Sequence, residues 1–123
     1  MAKSKTKQKD DKLNLILDAI KEIKGKEIIT INLEDVGYAI CDYFVICHGT
    51  STTQVDAISD SVERKLRKAN KISPHHVEGK NNSFWVLMDY GDILVHIFLE
   101  EKRAFYNLED LWADGVIERI DDV

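Results

Sequence analysis

The chain has 123 residues, of which 44% are hydrophobic and 32% charged, and its formal net charge is −5. These values predict a single globular domain with a core of its own, and they argue against broad nucleic-acid binding by the domain as a whole. The first nine residues hold four lysines and no acid, which leaves 13 of the 17 basic residues against 22 acidic ones and a body of net charge −9. We therefore expect a basic partner for an acidic body.

Residues 1–11 form a lysine-rich segment that alternates lysine with small polar residues and has almost nothing to bury. This composition predicts a disordered tail. The lysines are either an electrostatic tether to RNA or simply a solvated segment, and the composition favours the second interpretation.

A first helix is expected to begin at Asp10 or Asp11, which can act as its N-cap, and to end near Gly25 in the C′ position. Apolar residues recur at helical spacing between these ends and predict one core-facing stripe, formed by Leu13, Ile16, Leu17, Ile20 and Ile23.

Two strands are predicted at residues 28–33 and 43–47, and residues 34–41 between them fit either a short helix or a turn. Ser51 and Gln54 form a capping-box pattern, which predicts the start of a second helix. Its apolar face comprises Val55, Ile58, Val62, Leu66 and Ala69. Residues 72–77, which include the only proline, are predicted to be extended.

A hairpin is predicted where apolar runs at residues 84–88 and 93–98 flank Asp89-Tyr90-Gly91-Asp92. A two-residue loop would pair Asp89 with Asp92 and Trp85 with His96, whereas a longer loop would shift the pairing without changing the alternation. One face is apolar and should lie on the core: Phe84, Val86, Met88, Ile93, Val95 and Ile97. The other face mixes apolar and acidic groups: Trp85, Leu87, Asp89, Asp92, Leu94, His96 and Phe98.

A short helix at residues 100–106 and an acidic tail at residues 114–123 complete the chain. The order of elements predicts an α/β fold, a single domain with a mixed β-sheet flanked by helices and its last two strands antiparallel.

Potential catalytic residues do not form a recognisable constellation. His75 and His76 would point to opposite faces of a strand, and His48 and His96 lack neighbours at metal-ligand spacing. We therefore expect no enzymatic activity, no metal site and no cofactor. Cys41 and Cys47 are expected to be free thiols, and no apolar run has transmembrane length or signal-peptide character, which favours the cytoplasm.

The mixed face of the hairpin has two interpretations. An exposed Trp–Leu–Phe patch rimmed by carboxylates is typical of a protein-binding surface. Alternatively, Trp85 and Trp112 cover the second face of the sheet as ordinary core, and the residue pattern by itself leaves both interpretations open.

Two stretches of the chain resemble the ribosomal silencing factor (Iojap-like) family. The first is Asp42-Tyr43-Phe44-Val45-Ile46-Cys47 with Gly49-Thr50-Ser51 and Gln54-Val55. The second is Trp85-Val86-Leu87, Asp89-Tyr90-Gly91-Asp92 and Val95-His96-Ile97-Phe98, followed by Arg103, Phe105-Tyr106, Leu108-Glu109 and Leu111-Trp112. The ordered combination is specific and places the family's domain at residues 12–113. His48 departs from the pattern, since the family commonly has a small hydroxyl residue there.

The resemblance implies a fold related to nucleotidyltransferases, without enzymatic activity, and a translation repressor that binds the large ribosomal subunit. Its partner would be the fourteenth protein of that subunit, and occupying this protein would sterically block joining of the small subunit under nutrient limitation. The contact role falls on Trp85, Leu87, Asp89, Tyr90, Asp92, His96, Phe98 and Tyr106. A homodimer off the ribosome and a weak ribosomal RNA contact by the lysine-rich tail are further expectations.

An alternative from another class is a metal-dependent nucleotidyltransferase-like enzyme. It requires a Gly-Ser turn between a strand and a helix, followed by a closely spaced acidic pair on a strand. Gly49-Thr50-Ser51 is a partial match to the Gly-Ser turn. Asp89 and Asp92, however, lie too far along the chain to be the acidic pair.

Overall fold

The computed structural model describes residues 2–120 of the chain, with side chains from Lys9 onward. In chain order the elements are α1 (Ala2–Glu22), β1 (Lys26–Asn32), β2 (Tyr43–Gly49), α2 (Thr52–Asn70), β3 (His76–Glu78), β4 (Trp85–Asp89), β5 (Ile93–Leu99), α3 (Glu100–Tyr106), α4 (Leu108–Leu111) and β6 (Val116–Arg119). Among these residues, no helix combines the length and the apolar character that a membrane-spanning segment requires.

The strands within the described residues form one six-stranded sheet in the order β3-β4-β5-β2-β1-β6. The central pair β2 and β5 is parallel, and all other neighbours are antiparallel. This arrangement confirms the predicted mixed sheet and its antiparallel final hairpin.

The sheet separates two layers of core. On one face α1 and α2 pack on the strands, and the buried residues there include Ile16, Ile20, Val45, Ile58, Val95 and Ile97. On the other face lie α3, α4 and the segment at residues 33–42, with Ile31, Phe44, Ile46, Phe98 and Leu108 buried. Cys41 and Cys47 are both free and buried, one in each layer.

The predicted apolar stripe of α1 faces the core, but both ends of the helix differ from the prediction. The helix begins at Ala2 and so includes residues 2–11 of the predicted disordered tail, while Met1 lies outside the described residues. The ammonium group of Lys9 lies 2.5 Å from Glu34 and 3.3 Å from Asp42, which ties this part of the helix to the body. At the other end Lys24, with φ of 60°, takes the left-handed conformation predicted for Gly25. Gly25 is needed for close packing instead, because a Cβ there would lie 2.4 Å from Ile20 Cγ2.

The predicted N-cap of α2 is confirmed, since the Ser51 hydroxyl accepts a hydrogen bond from the Gln54 backbone N–H at 3.1 Å. The Gln54 side chain does not complete the usual reciprocal bond. Its oxygen accepts from the Thr50 N–H at 2.8 Å, and its nitrogen donates to the carbonyls of Ile23 and Lys24. Gln54 therefore joins the end of α1 to the start of α2. The apolar face of α2 is buried as predicted apart from Ala69, which is exposed in the last turn.

The predicted hairpin loop at Tyr90-Gly91 is wrong. Trp85 pairs with Phe98, Leu87 with His96 and Asp89 with Leu94, a shift of two positions that preserves the alternation. The turn is centred on Gly91-Asp92, because the Tyr90 N–H donates to the Ile93 carbonyl at 2.9 Å, the Asp89 side chain accepts from the Gly91 N–H at 2.8 Å and Gly91 has φ of 89°. Asp89 and Asp92 consequently do not face each other across the strands.

Three further assignments differ in detail. Phe84 precedes β4 and is 42% exposed, so it does not belong to the core face. Residues 34–41 form turns, with Val36 N–H bonded to the Leu33 carbonyl, and only the end of the predicted extended segment forms β3. Residues 116–119, predicted to be part of an acidic tail, form β6, because Ile117 and its neighbours pair with the free edge of β1.

Candidate functional site

An aromatic group stands at the start of β4 on the face covered by α3. The rings of Trp85, Phe98 and Tyr106 contact one another in a triangle, with Trp85 5.0 Å from Phe98 and 4.6 Å from Tyr106 between centroids, and Phe98 6.1 Å from Tyr106. Phe105 meets Tyr106 edge-on at 5.1 Å. Phe98 is fully buried, Trp85 half-buried, Tyr106 44% exposed and Phe105 79% exposed, so the stack runs from core to solvent.

His96 fixes the orientation of Trp85. The Trp85 indole N–H donates to His96 Nδ1 at 3.2 Å, and the imidazole packs edge-on against Phe44 at 4.6 Å between centroids. The surroundings of His96 are apolar and it is only 5% exposed, so burial lowers its pKa to about 4. The ring is therefore neutral at physiological pH, and its Nδ1 can accept the hydrogen bond from the indole N–H.

The two acids of the hairpin have different surroundings, although both are half-buried. Asp89 caps the turn through the Gly91 N–H, whereas Asp92 accepts from Lys12 Nζ at 2.6 Å. Asp42 lies beside them, since its backbone N–H donates to the Asp92 carbonyl at 2.9 Å. Asp89 and Asp92, the carboxylates predicted to meet a cationic partner, thus lie at one end of the sheet together with Asp42. Lysines of α1 already contact Asp92 through Lys12 and Asp42 through Lys9.

Tyr90 is separated from the other predicted contact residues. Its side chain points to the opposite face of the sheet, is 2% exposed and joins the core beneath α2. Burial raises the pKa of its hydroxyl, which has no hydrogen-bond partner among the described residues. A direct contact between this ring and a partner would require the hairpin to rearrange.

The eight predicted contact residues therefore fall into two groups. Five are at least partly accessible and form what we call the partner face: Trp85, Leu87, Asp89, Asp92 and Tyr106. Three are buried: Tyr90, His96 and Phe98. Sequence reasoning did not select Phe105, although it is the most exposed of the aromatic group. The sequence did contain a signal for Phe105, because it is an aromatic residue next to Tyr106 to which no apolar partner was assigned.

His48 occupies a buried polar cluster at the end of β2. Its Nδ1 lies 3.0 Å from Arg103 Nη1, and its Nε2 lies 3.4 Å from a Glu100 oxygen. Burial first, and then the neighbouring guanidinium, lower the pKa of His48. Arg103 also donates to the Lys26 carbonyl at 3.3 Å, so both residues connect β1, β2 and α3. His48, which replaces the small hydroxyl residue common in the family, is thus accommodated by packing and polar contacts in this cluster.

The groups required by the nucleotidyltransferase alternative lie at opposite ends of the sheet. Ser51 follows the carboxyl end of β2, whereas Asp92 precedes β5 beside Tyr43, where the parallel strand β2 begins. The seven residues of β2 span six steps of about 3.3 Å, so its two ends are about 20 Å apart. Ser51 and the hairpin acids therefore do not form one metal site, and residues 9–120 contain no group of three or more potential metal ligands.

Comparison with known proteins gives consistent matches over nearly the whole chain. The family model described as "Ribosomal silencing factor during starvation" matches residues 6–123. A ribosomal silencing factor from Halalkalibacterium halodurans is 36% identical over 111 residues, which are 90% of this chain and 93% of the relative. A crystal structure of a protein from Chromobacterium violaceum superposes with a TM-score of 0.80 at 33% identity and covers 85% of each chain. A more distant mouse relative, 29% identical over 82% of this chain and 45% of its own length, is named mitochondrial assembly of ribosomal large subunit protein 1.

Proposed function

The chain belongs to the ribosomal silencing factor family, and from this premise we propose that it binds the large ribosomal subunit through that subunit's fourteenth protein. Bound there in the cytoplasm, it blocks joining of the small subunit and represses translation when nutrients are limiting. The name of the mouse relative, which refers to assembly of the large subunit, supports this choice of subunit.

The partner face is the observation that carries the proposal. Trp85 and Tyr106 present aromatic surface that is held rigid by the buried Phe98 and His96. Tryptophan and tyrosine are frequent anchors of protein interfaces, and rigid side chains lose little conformational entropy on binding. Carboxylates at Asp89 and Asp92 lie along the same hairpin and suit a basic protein surface.

The mechanism we propose is steric competition. A bound domain of this size excludes another macromolecule from the same area of the large subunit, and no chemical step is needed. The buried contact residues contribute by position, because Phe98 supports the Trp85 ring and His96 fixes its N–H. We therefore assign direct contact to the five residues of the partner face and a supporting role to His96 and Phe98, whereas Tyr90 belongs to the core on the opposite face of the sheet.

The decisive experiment is co-sedimentation of the purified protein with separated large and small subunits, followed by addition of the missing subunit. We expect the protein to pellet with the large subunit alone and to reduce the amount of joined ribosomes as its concentration rises. Pelleting with neither subunit, or joining that is unaffected at saturation, would contradict the proposal.

The location of the contact is tested by comparing the two tryptophans. Trp85→Ala should weaken large-subunit binding by about 2 kcal/mol or more, the usual result of removing an interface anchor. Trp112→Ala is the matched control, because Trp112 is also half-buried but packs against Tyr38 and Phe44, whereas Trp85 packs against Phe98 and Tyr106. Equal binding by the two variants, with both shown to be folded by circular dichroism, would mean that the partner face is assigned to the wrong surface.

A further inference from the structure

We infer that the C-terminal half of α2 is a second contact surface, which binds the phosphodiester backbone of large-subunit ribosomal RNA. The inference rests on the proposed function, because it presupposes that the domain docks on the large subunit. The surface, called the basic ridge here, consists of Arg64, Lys65, Arg67, Lys68 and Lys71.

The basic ridge is the opposite in charge to the rest of the molecule. Residues 64–71 contain five cations and no acid, which leaves 12 of the 17 basic residues against 22 acidic ones elsewhere. Arg64, Arg67, Lys68 and Lys71 are exposed. Lys65 pairs with Glu22 of α1, whereas within residues 9–120 no carboxylate lies at ion-pair distance from the other four. Four charges therefore remain available to an anionic partner.

Helix stability does not account for this arrangement. Cations favour only the last turn of a helix, where they interact with the backbone dipole, but Arg64 and Lys65 lie a turn earlier. The spacing also places like charges together within the helix, since Arg64 lies at i,i+3 from Arg67 and at i,i+4 from Lys68, and such pairs are destabilising. A polyanion laid along the ridge would relieve this repulsion.

The neighbouring side chains determine where the anion runs. A groove of about 390 Å³ separates α1 from α2 and is lined by Leu15, Ser61, Ala69 and three residues of the ridge. Glu22 lines it from the α1 side, and Asp11 and Asp18 line the adjoining groove. These carboxylates repel phosphate, so the backbone of an RNA would run along Arg64 and Lys68 at the mouth of the groove and on to Lys71, without entering the groove.

The ridge lies near the acidic hairpin, not on a remote surface. The chain leaves α2 at Lys71, and four residues later the His75 backbone N–H donates to the Asp89 carbonyl at 2.7 Å. One end of the molecule thus presents carboxylates and cations side by side. A ribonucleoprotein surface, where a basic protein borders RNA phosphates, has the complementary pattern.

The test compares two triple variants that remove the same number of charges. In the ridge variant, Arg64→Gln, Lys68→Gln and Lys71→Gln are combined. In the control, Lys21→Gln, Lys24→Gln and Lys26→Gln are combined. All three control lysines are exposed and lie near the start of α2, because Gln54 donates to the Lys24 carbonyl. The dissociation constant for purified large subunits is measured by co-sedimentation over a series of salt concentrations, and thermal melting shows that both variants fold.

We expect the ridge variant to lose affinity about tenfold at low salt and its log–log salt slope to fall by about 2, since each phosphate contact contributes roughly 0.7 to 0.9. The control should keep the wild-type slope. A ridge variant with the wild-type slope, or an equal loss in both variants, would overturn the inference while leaving the proposed function in place. Failure of the wild-type protein to bind large subunits would refute the proposed function, and the inference with it.

Discussion

Trp85 is held by a histidine that stays neutral because it is buried. Its indole N–H needs an acceptor, and His96 Nδ1 supplies one only while the imidazole carries no second proton. The rings of Phe44, Phe98 and Trp85 surround His96 and provide no counter-charge. A protonated His96 would be a buried, unpaired cation, so acidification acts directly on the support of the partner face.

This environment predicts a specific pH dependence of stability. The pKa of His96 is lowered from 6.5 to about 4 in the folded protein. As the pH falls below 6.5 the unfolded chain binds the proton first, so the free energy of unfolding decreases until about pH 4 and should be about 2 kcal/mol lower at pH 5 than at pH 7. Urea denaturation at both pH values measures the difference.

The His96 contribution can be isolated with two variants. His96→Gln retains an acceptor for the indole N–H but does not titrate, so its loss of stability between pH 7 and pH 5 should be smaller. His76→Gln changes an exposed histidine and should follow the wild type. His48, whose pKa is also lowered, supplies the remaining loss. An unchanged pH dependence in His96→Gln would show that His96 is not the responsible group.

The turns before and after β4 determine where Trp85 and the hairpin acids lie. Gly79 stands between β3 and β4 with φ of 90°, and a Cβ there would lie 2.0 Å from the Trp85 carbonyl oxygen. The chain therefore enters β4, and with it Trp85, along a path that only glycine permits. The shift in register at the hairpin has a similar local cause, because the Asp89 side chain and the positive φ of Gly91 centre the turn on Gly91-Asp92 and not on Tyr90-Gly91.

Substitution of two glycines tests this interpretation. Gly79→Ala should lower the free energy of unfolding by more than about 2 kcal/mol, because it combines a left-handed backbone with a clash against backbone. Gly37→Ala is the control, since a Cβ at Gly37 meets nothing within 4 Å, and it should change stability by less than about 0.5 kcal/mol. Equal denaturation midpoints for the two variants would contradict the expected constraint at Gly79.

At the scale of the whole molecule, charge is distributed unevenly over an acidic body. Asp42 and the hairpin acids lie at one end of the sheet, where Lys9 partly neutralises Asp42 and Lys12 partly neutralises Asp92. A basic partner must therefore compete with lysines of α1 for the same carboxylates. This competition reduces the net electrostatic gain on binding, so we expect the apolar surface of Trp85 and Tyr106 to contribute most of the affinity and the acids to contribute mainly to orientation and association rate.

The contribution of the hairpin acids to binding affinity is measured by neutralising them. Asp89→Asn combined with Asp92→Asn keeps hydrogen-bond acceptors in place and should weaken large-subunit binding about tenfold, or about 1.4 kcal/mol, with the larger effect at low salt. Asp110→Asn combined with Glu118→Gln removes the same charge from exposed positions. Glu118 lies on β6, four strands away from β4 and about 20 Å distant. Binding that falls equally in both double variants would indicate a general charge effect and no specific role for the hairpin.

The sequence by itself determined the class of fold and the two faces of its main elements. Hydrophobic periodicity identified the stripes of α1 and α2, because burial of a helix face requires apolar residues every three or four positions. The Ser51 cap was identified for an equally local reason. The alternation of the hairpin strands survived an error in register, since a shift of two residues returns each side chain to the same face.

Only the tertiary structure decided which face residues remain accessible. His96, Phe98 and Leu94 share the face of Trp85 and Leu87, but α3, α4 and residues 33–42 cover the first three and leave the other two partly accessible. The alternation of a strand cannot show this, because covering elements come from distant parts of the chain. The same holds for α1 and β6. Lys9 and Lys12 find carboxylates 25 to 80 residues away, and Val116–Arg119 pair with an edge of β1 that no local pattern reveals.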